Sequence, residues 1–253
     1  MTTPSTTIVL EPEKVTVMTV DENGIKQHKN TNIETIQQIF MKEQAIETPL
    51  LPSQWGVIKY YRKDHYEGYV MTTPATERVV RFDVYNRSGV PAEATIPVPP
   101  QLWVFEVMTD QNGNKKLTHS MMYILKHELL SLKDKVFHAP FCNIGISHGI
   151  CWGRSVPEVP TGKSIQNIPA RFFAQPFNFD LSSNRVKEFQ YTHENGNTET
   201  TDVAVYHMLA QAKKLAEAKE AGEEFVYDFD SLKPAGSLDV QAAIKAYLPG
   251  IFR

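Results

Sequence analysis

Cysteine is scarce in this chain, with two in 253 residues. That excludes a disulfide framework standing in for a core, and in a reducing compartment two thiols read as free groups or ligands. An excess of either charge is also missing: 26 basic residues are scattered among 29 acidic ones, for a net charge of −3. No basic stripe offers a face to phosphates, so nucleic acid is not an expected partner. No run approaches the roughly 20 apolar residues that span a bilayer. The opening "MTTPSTTIVLEPEK" has no basic stretch leading into an apolar one. No membrane partner is expected, and the location expected is the cytoplasm. Internal repeats and low-complexity linkers are lacking too.

Several chemical motifs are absent as well. "TGKS" at 161–164 resembles half of a phosphate loop, but Pro157 stands where that loop needs its first glycine. His119, His127, Glu128 and His138 invite a zinc reading. The cysteines, however, lie nine residues apart and no CxxC or HExxH spacing exists, so these read as surface or hydrogen-bonded histidines. No GxSxG elbow surrounds Ser147 or Ser155, which leaves a serine hydrolase unsupported. No metal and no cofactor are expected.

What is present reads as an α+β order of elements. "TIVLEPEKVTVMTVDENGIKQH" alternates β-branched residues around Asn23-Gly24, a hairpin signal. "TNIETIQQIFMKEQAI" has helical spacing, with Thr31 or Asn32 as its cap and Pro49 beyond its end. "WGVIKYY", "ERVVRFDVY" and "LWVFEVM" are expected to form an antiparallel meander, separated by "HYEGYVMTTPAT" and the proline-rich "GVPAEATIPVPP". "KLTHSMMYILKHELL" begins like a strand and ends like a helix. "TDVAVYHMLAQAKKLAEAKEAGEE" is a helix stopped at Gly222, and "SLDVQAAIKAYL" a shorter one capped by Ser237 and ended by Pro249. The expected division is an N-terminal hairpin and helix over 1–50, a core over 51–200, and C-terminal helices packed on it over 201–253.

Both cysteines fall in "FHAPFCNIGISHGICWG", residues 137–153. Cys151 lies between Gly149 and Gly153, which favours a surface loop and a reachable thiol, and His148 stands three residues before it. Cys142, between Phe141 and Asn143, reads as a small buried residue. Trp152 reads as packing beside the loop.

The spacing in this stretch resembles the active-site segment of ubiquitin-conjugating enzymes. There a His-Pro-Asn tripeptide precedes the catalytic cysteine, its asparagine eight positions before it. Asn143 and Cys151 are also eight apart. "IPVPPQLWVFEV" is similar to the proline and strand segment that precedes that motif. More closely, "HAPFCNIGISHGICWG" resembles the prokaryotic ubiquitin-conjugating-enzyme-like family D, the branch that is PRTRC system protein B-like. Two features depart from the pattern: Phe141 and Cys142 occupy the His and Pro positions, and "TDQNGNKKLTHSMMYILKHELLSLKDK" is inserted ahead of the loop.

The resemblance implies a ubiquitin-conjugating-like fold, an antiparallel meander flanked by helices with an N-terminal β-hairpin extension. It implies that Cys151 accepts a ubiquitin-like protein as a thioester from a ThiF-like activating enzyme and passes it to an amine. Asn143 would be an oxyanion donor or loop brace, and His148 a base for the amine. A JAB-type peptidase is a further implied partner. Two other classes stay open: a catalytically inactive binding or adaptor module on the same fold, and a thiol hydrolase, which needs a correctly placed histidine.

Overall fold

Two residues, Asp64 and His65, separate runs of strand-forming residues, and Asp64 takes a left-handed turn at φ 51°, which aspartate tolerates well. This tight turn folds β5 (Val57–Lys63) back on β6 (Tyr66–Thr73), with Lys63 opposite Tyr66. The computed structural model describes all residues of 1–253 except 1, 2, 4, 12, 13, 32–45, 49, 51–55, 84–88, 146, 155, 160, 161, 182 and 253. They form two units, Met1–Ile46 and Glu47–Arg253.

The first unit is a three-stranded antiparallel sheet of β1 (Ser5–Glu11), β2 (Lys14–Val20) and β3 (Lys26–Thr31). The Asn23-Gly24 signal marks its second hairpin. Gly24 has φ 79°, and the Asp21 carboxylate accepts the Asn23 and Ile25 N–H groups, each at 2.9 Å. Of the helix expected over 31–46, residues 32–45 lie outside the described residues, while Thr31 ends β3 and Ile46 begins a further strand.

The second unit is built on a seven-stranded sheet. Its order is β14 (Pro234–Asp239), β11 (Lys135–His138), β10 (Lys115–Ile124), β9 (Gln101–Thr109), β6, β5 and β4 (Ile46–Glu47). Central β9 has both faces covered, so Gln101 through Val107 are all buried. On one face Trp103, Phe105, Met122 and Ile124 pack with Phe141, Phe172, Phe173 and Phe177. On the other, Leu102, Val104, Met121 and Tyr123 pack with Val240, Ile244 and Leu248. The result is mixed and strand-rich, an α+β arrangement.

The meander differs from the sequence expectation. "YEGYVMTT", read as a separator, is β6 itself, because the short Asp64-His65 turn leaves those residues opposite β5. "ERVVR" leaves the main sheet instead: among the described residues β7 (Thr76–Arg81) forms a two-stranded sheet with β8 (Glu93–Val98), where Pro97 sits. A proline is tolerated there because a free strand edge needs no N–H. The "KHELL" stretch turns rather than coiling: Asp134 accepts the N–H groups of Leu130 and Ser131 and holds a tight loop.

Two short helices that the sequence reading missed, α1 (Gly162–Gln166) and α2 (Ile168–Ala174), cover the Trp103 face. A second missed hairpin joins β12 (Phe189–Thr192) to β13 (Thr198–Thr201). The long helix α3 (Ala204–Ala221) ends as expected at left-handed Gly222, φ 70°. In the next helix, α4 (Val240–Tyr247), the cap is Asp239 and not Ser237, which lies within β14. Asp239 accepts the Ala242 N–H at 2.8 Å. Pro249 ends that helix by starting α5 (Pro249–Phe252). No helix among the described residues is long and apolar enough to cross a membrane.

Candidate active site

The cysteine segment is extended rather than a loose loop. Residues 149–151 run between β10 and residues 143–145, bridged as Met121 to Gly149 on one side and Ile144 to Ile150 on the other. Their N–H groups alternate: Ile150 donates to the Ser120 carbonyl at 2.8 Å, and Cys151 to the Asn143 carbonyl at 2.7 Å. Side chains alternate with them. Ile150 and Trp152 point into the core, and the Trp152 indole donates to Ser120 Oγ at 2.9 Å. Cys151, between them, is exposed. Strand alternation therefore presents the thiol, where the sequence reading credited flanking glycines. Of those two, only Gly153, at φ 57°, uses a left-handed backbone.

Left-handed conformations instead fall on two of the residues singled out in the sequence. Asn143 has φ 62° and His148 φ 66°, conformations that cost most side chains energy but suit asparagine. Asn143 is 7% exposed, and its amide Nδ2 donates to the Pro176 carbonyl at 2.9 Å, which ties the turn to the chain after α2. His148 is buried. Its ring lies against Tyr123 at 4.3 Å and is stacked on His138 at 4.4 Å. Burial, with His138 and Arg185 adding to it, pulls its pKa down to about 3. The His148 backbone instead ties the turn to β10: its N–H donates to the Gly145 carbonyl, and its carbonyl accepts from the Met122 N–H.

Cys142 is fully buried, and burial pushes its thiol well up, only partly offset by Arg185. Arg185 escaped the sequence reading. It is 2% exposed, and its Nη2 donates to the Ile144 carbonyl at 2.7 Å, so it holds the inner side of the cysteine segment. A single arginine in "SSNRVKEF" carries no periodic or motif signal that would have found it. Among the described residues no group of three or more His, Cys, Asp or Glu is placed to hold a metal ion. What the arrangement offers is one reachable sulfur on a hydrogen-bonded strand, beside a buried second sulfur that is kept protonated.

The model of prokaryotic E2 family D matches residues 32–218, which include all of this segment. The chain belongs to that family. No curated protein and no solved structure gives a significant match. Membership of prokaryotic E2 family D supports a ubiquitin-conjugating-like role in general, and so a transferase. Within the matched span the exposed thiol is Cys151.

Proposed function

We propose that this protein is a ubiquitin-conjugating-like carrier on a ubiquitin-conjugating-like fold. Cys151 accepts the C-terminal acyl group of a ubiquitin-like protein from a ThiF-like activating enzyme and transfers it to an amine. The observation that carries the reading is the exposure of Cys151 on a braced strand while Cys142 is buried. In the first step the Cys151 sulfur bonds to the acyl carbon and the activating enzyme's cysteine leaves as its thiolate. In the second, an amine bonds to that carbon and the Cys151 thiolate leaves. Asn143 supports these steps as a brace for the turn, given its bond to Pro176. His148, buried in its ring stack, serves as packing under the strand. A JAB-type peptidase would cut the modifier free, and the cytoplasm is the setting these partners imply.

The test mixes the protein with its activating enzyme, a ubiquitin-like protein and ATP, and runs the products on a non-reducing gel. A larger, thiol-sensitive species is expected. Cys151→Ser should give a more stable ester or nothing, while Cys142→Ala should load like the parent. A Cys151→Ser protein that still forms a thiol-sensitive adduct sinks the carrier reading and leaves a binding or adaptor module.

A further inference from the structure

The strand ladder beside the cysteine segment leads to an unassigned histidine, His119. The bridge of Met121 to Gly149 and the bond from Ile150 N–H to the Ser120 carbonyl set an antiparallel register. The backbone bonds across the two segments end at Ser120 and Ile150, and carrying the same register one residue further would set His119 opposite Cys151. Opposed residues in antiparallel strands share a face, with Cβ atoms about 4.5–5.5 Å apart. The Trp152 indole on Ser120 holds the two segments together just past this point.

His119 is itself oriented from the far side. A bulge in β10 between Leu117 and His119 sets Thr118 and His119 against the single residue Glu106 of β9. Bulges of this kind re-aim side chains next to active sites. The Glu106 carboxylate, 1% exposed, accepts from Thr118 Oγ1 at 3.1 Å, and His119 Nδ1 lies 3.0 Å from the same oxygen. Its other oxygen accepts the Gly250 N–H of α5 at 2.7 Å. With Nδ1–H donated to a fixed carboxylate, Nε2 is left as the basic nitrogen, and the imidazole stays 39% exposed. Among the described residues, Glu106 is the charged group paired with this ring.

We propose that His119, positioned by Glu106, is the proton carrier for Cys151. This rests on the carrier reading only for its substrate, since the pair is defined by geometry alone. On loading, the Cys151 S–H proton moves to His119 Nε2 as sulfur bonds to the acyl carbon. The imidazolium then protonates the departing thiolate of the activating enzyme. On discharge, the attacking amine's proton passes to His119 and on to the leaving Cys151 sulfur, so each step ends with the histidine neutral.

The test needs no substrate in its first arm. Iodoacetamide labelling of Cys151, read by peptide mass mapping at several pH values, is compared between the parent, His119→Gln, His119→Asn and Glu106→Gln, with urea midpoints confirming folding. The His119 variants should label about tenfold more slowly near neutrality and lose the low-pH step of the profile. Glu106→Gln should shift that step while keeping it. A folded His119 variant whose profile superimposes on the parent's overturns the inference, even if the gel assay shows normal loading. A His119-dependent profile in a protein that the activating enzyme never loads supports the pair and overturns the carrier reading instead.

Discussion

Asn143 bears two separate loads, and they can be told apart. Its backbone sits at φ 62° and its side chain holds Pro176. Replacing it with alanine removes a hydrogen bond of about 1 kcal/mol and leaves a Cβ in a region costing about 1–2 kcal/mol. Glycine loses the bond but relieves the backbone. Asn143→Ala is therefore expected to lower stability by about 2 kcal/mol in urea titration, and Asn143→Gly by less. A glycine variant no more stable than the alanine one would show that the backbone conformation carries no cost. At this scale the sequence was informative about which thiol is reachable, since Cys142 follows Pro140-Phe141 in an apolar run. It offered His148 as a base, through the resemblance, and His119 as a surface or hydrogen-bonded histidine, but not the surroundings of either. The first is buried by Tyr123 and His138, the second is aimed by Glu106, and both relations depend on register between strands distant in sequence.

Among the elements, α2 matters most to the cysteine segment. Phe172 is fully buried and meets Trp103, Phe141, Trp152 and Phe177, so one helix residue joins the central strand to both ends of the segment. Phe172→Ala should cost about 3–5 kcal/mol, the usual range for emptying a buried aromatic site. Arg171→Ala, on the exposed side of the same helix, should change stability by less than about 0.5 kcal/mol. Denaturant titration of both variants decides the point, and similar losses would show that Phe172 packs no better than a surface residue. Pro169, a breaker in a helix interior, stands in the first turn of this helix, where proline is a starter. The same local ambiguity hid β6, whose turn is Asp64-His65 and not the asparagine-glycine pair that marks the β2–β3 hairpin. The long helix and its glycine stop were legible because periodicity and cap agree.

For the molecule as a whole, packing on both faces of one sheet buries histidines that must stay neutral. Burial draws His148 down to about 3, and His207, bonded to Ser231 Oγ at 2.8 Å, down to about 4. Burial lowers His138 in the same direction. In the unfolded chain these rings titrate near 6.5. Between that value and the folded ones the unfolded state binds more protons, so acid favours unfolding. The stabilisation is full above pH 6.5 and declines as pH falls toward 4. At pH 5 the loss is about 2 kcal/mol for each of His148 and His207. Glu67, which Lys115 and Tyr69 hold below the usual carboxylate range against the opposing effect of burial, acts only at lower pH and leaves this window to the histidines. Urea midpoints should therefore fall between pH 7 and pH 5, and His207→Gln, whatever its cost at pH 7, should show a drop about 2 kcal/mol smaller than the parent's. A midpoint that stays constant across that range would mean the rings are protonated, or solvated, inside the folded protein. The neutral His148 stack under the cysteine strand would then have to be abandoned.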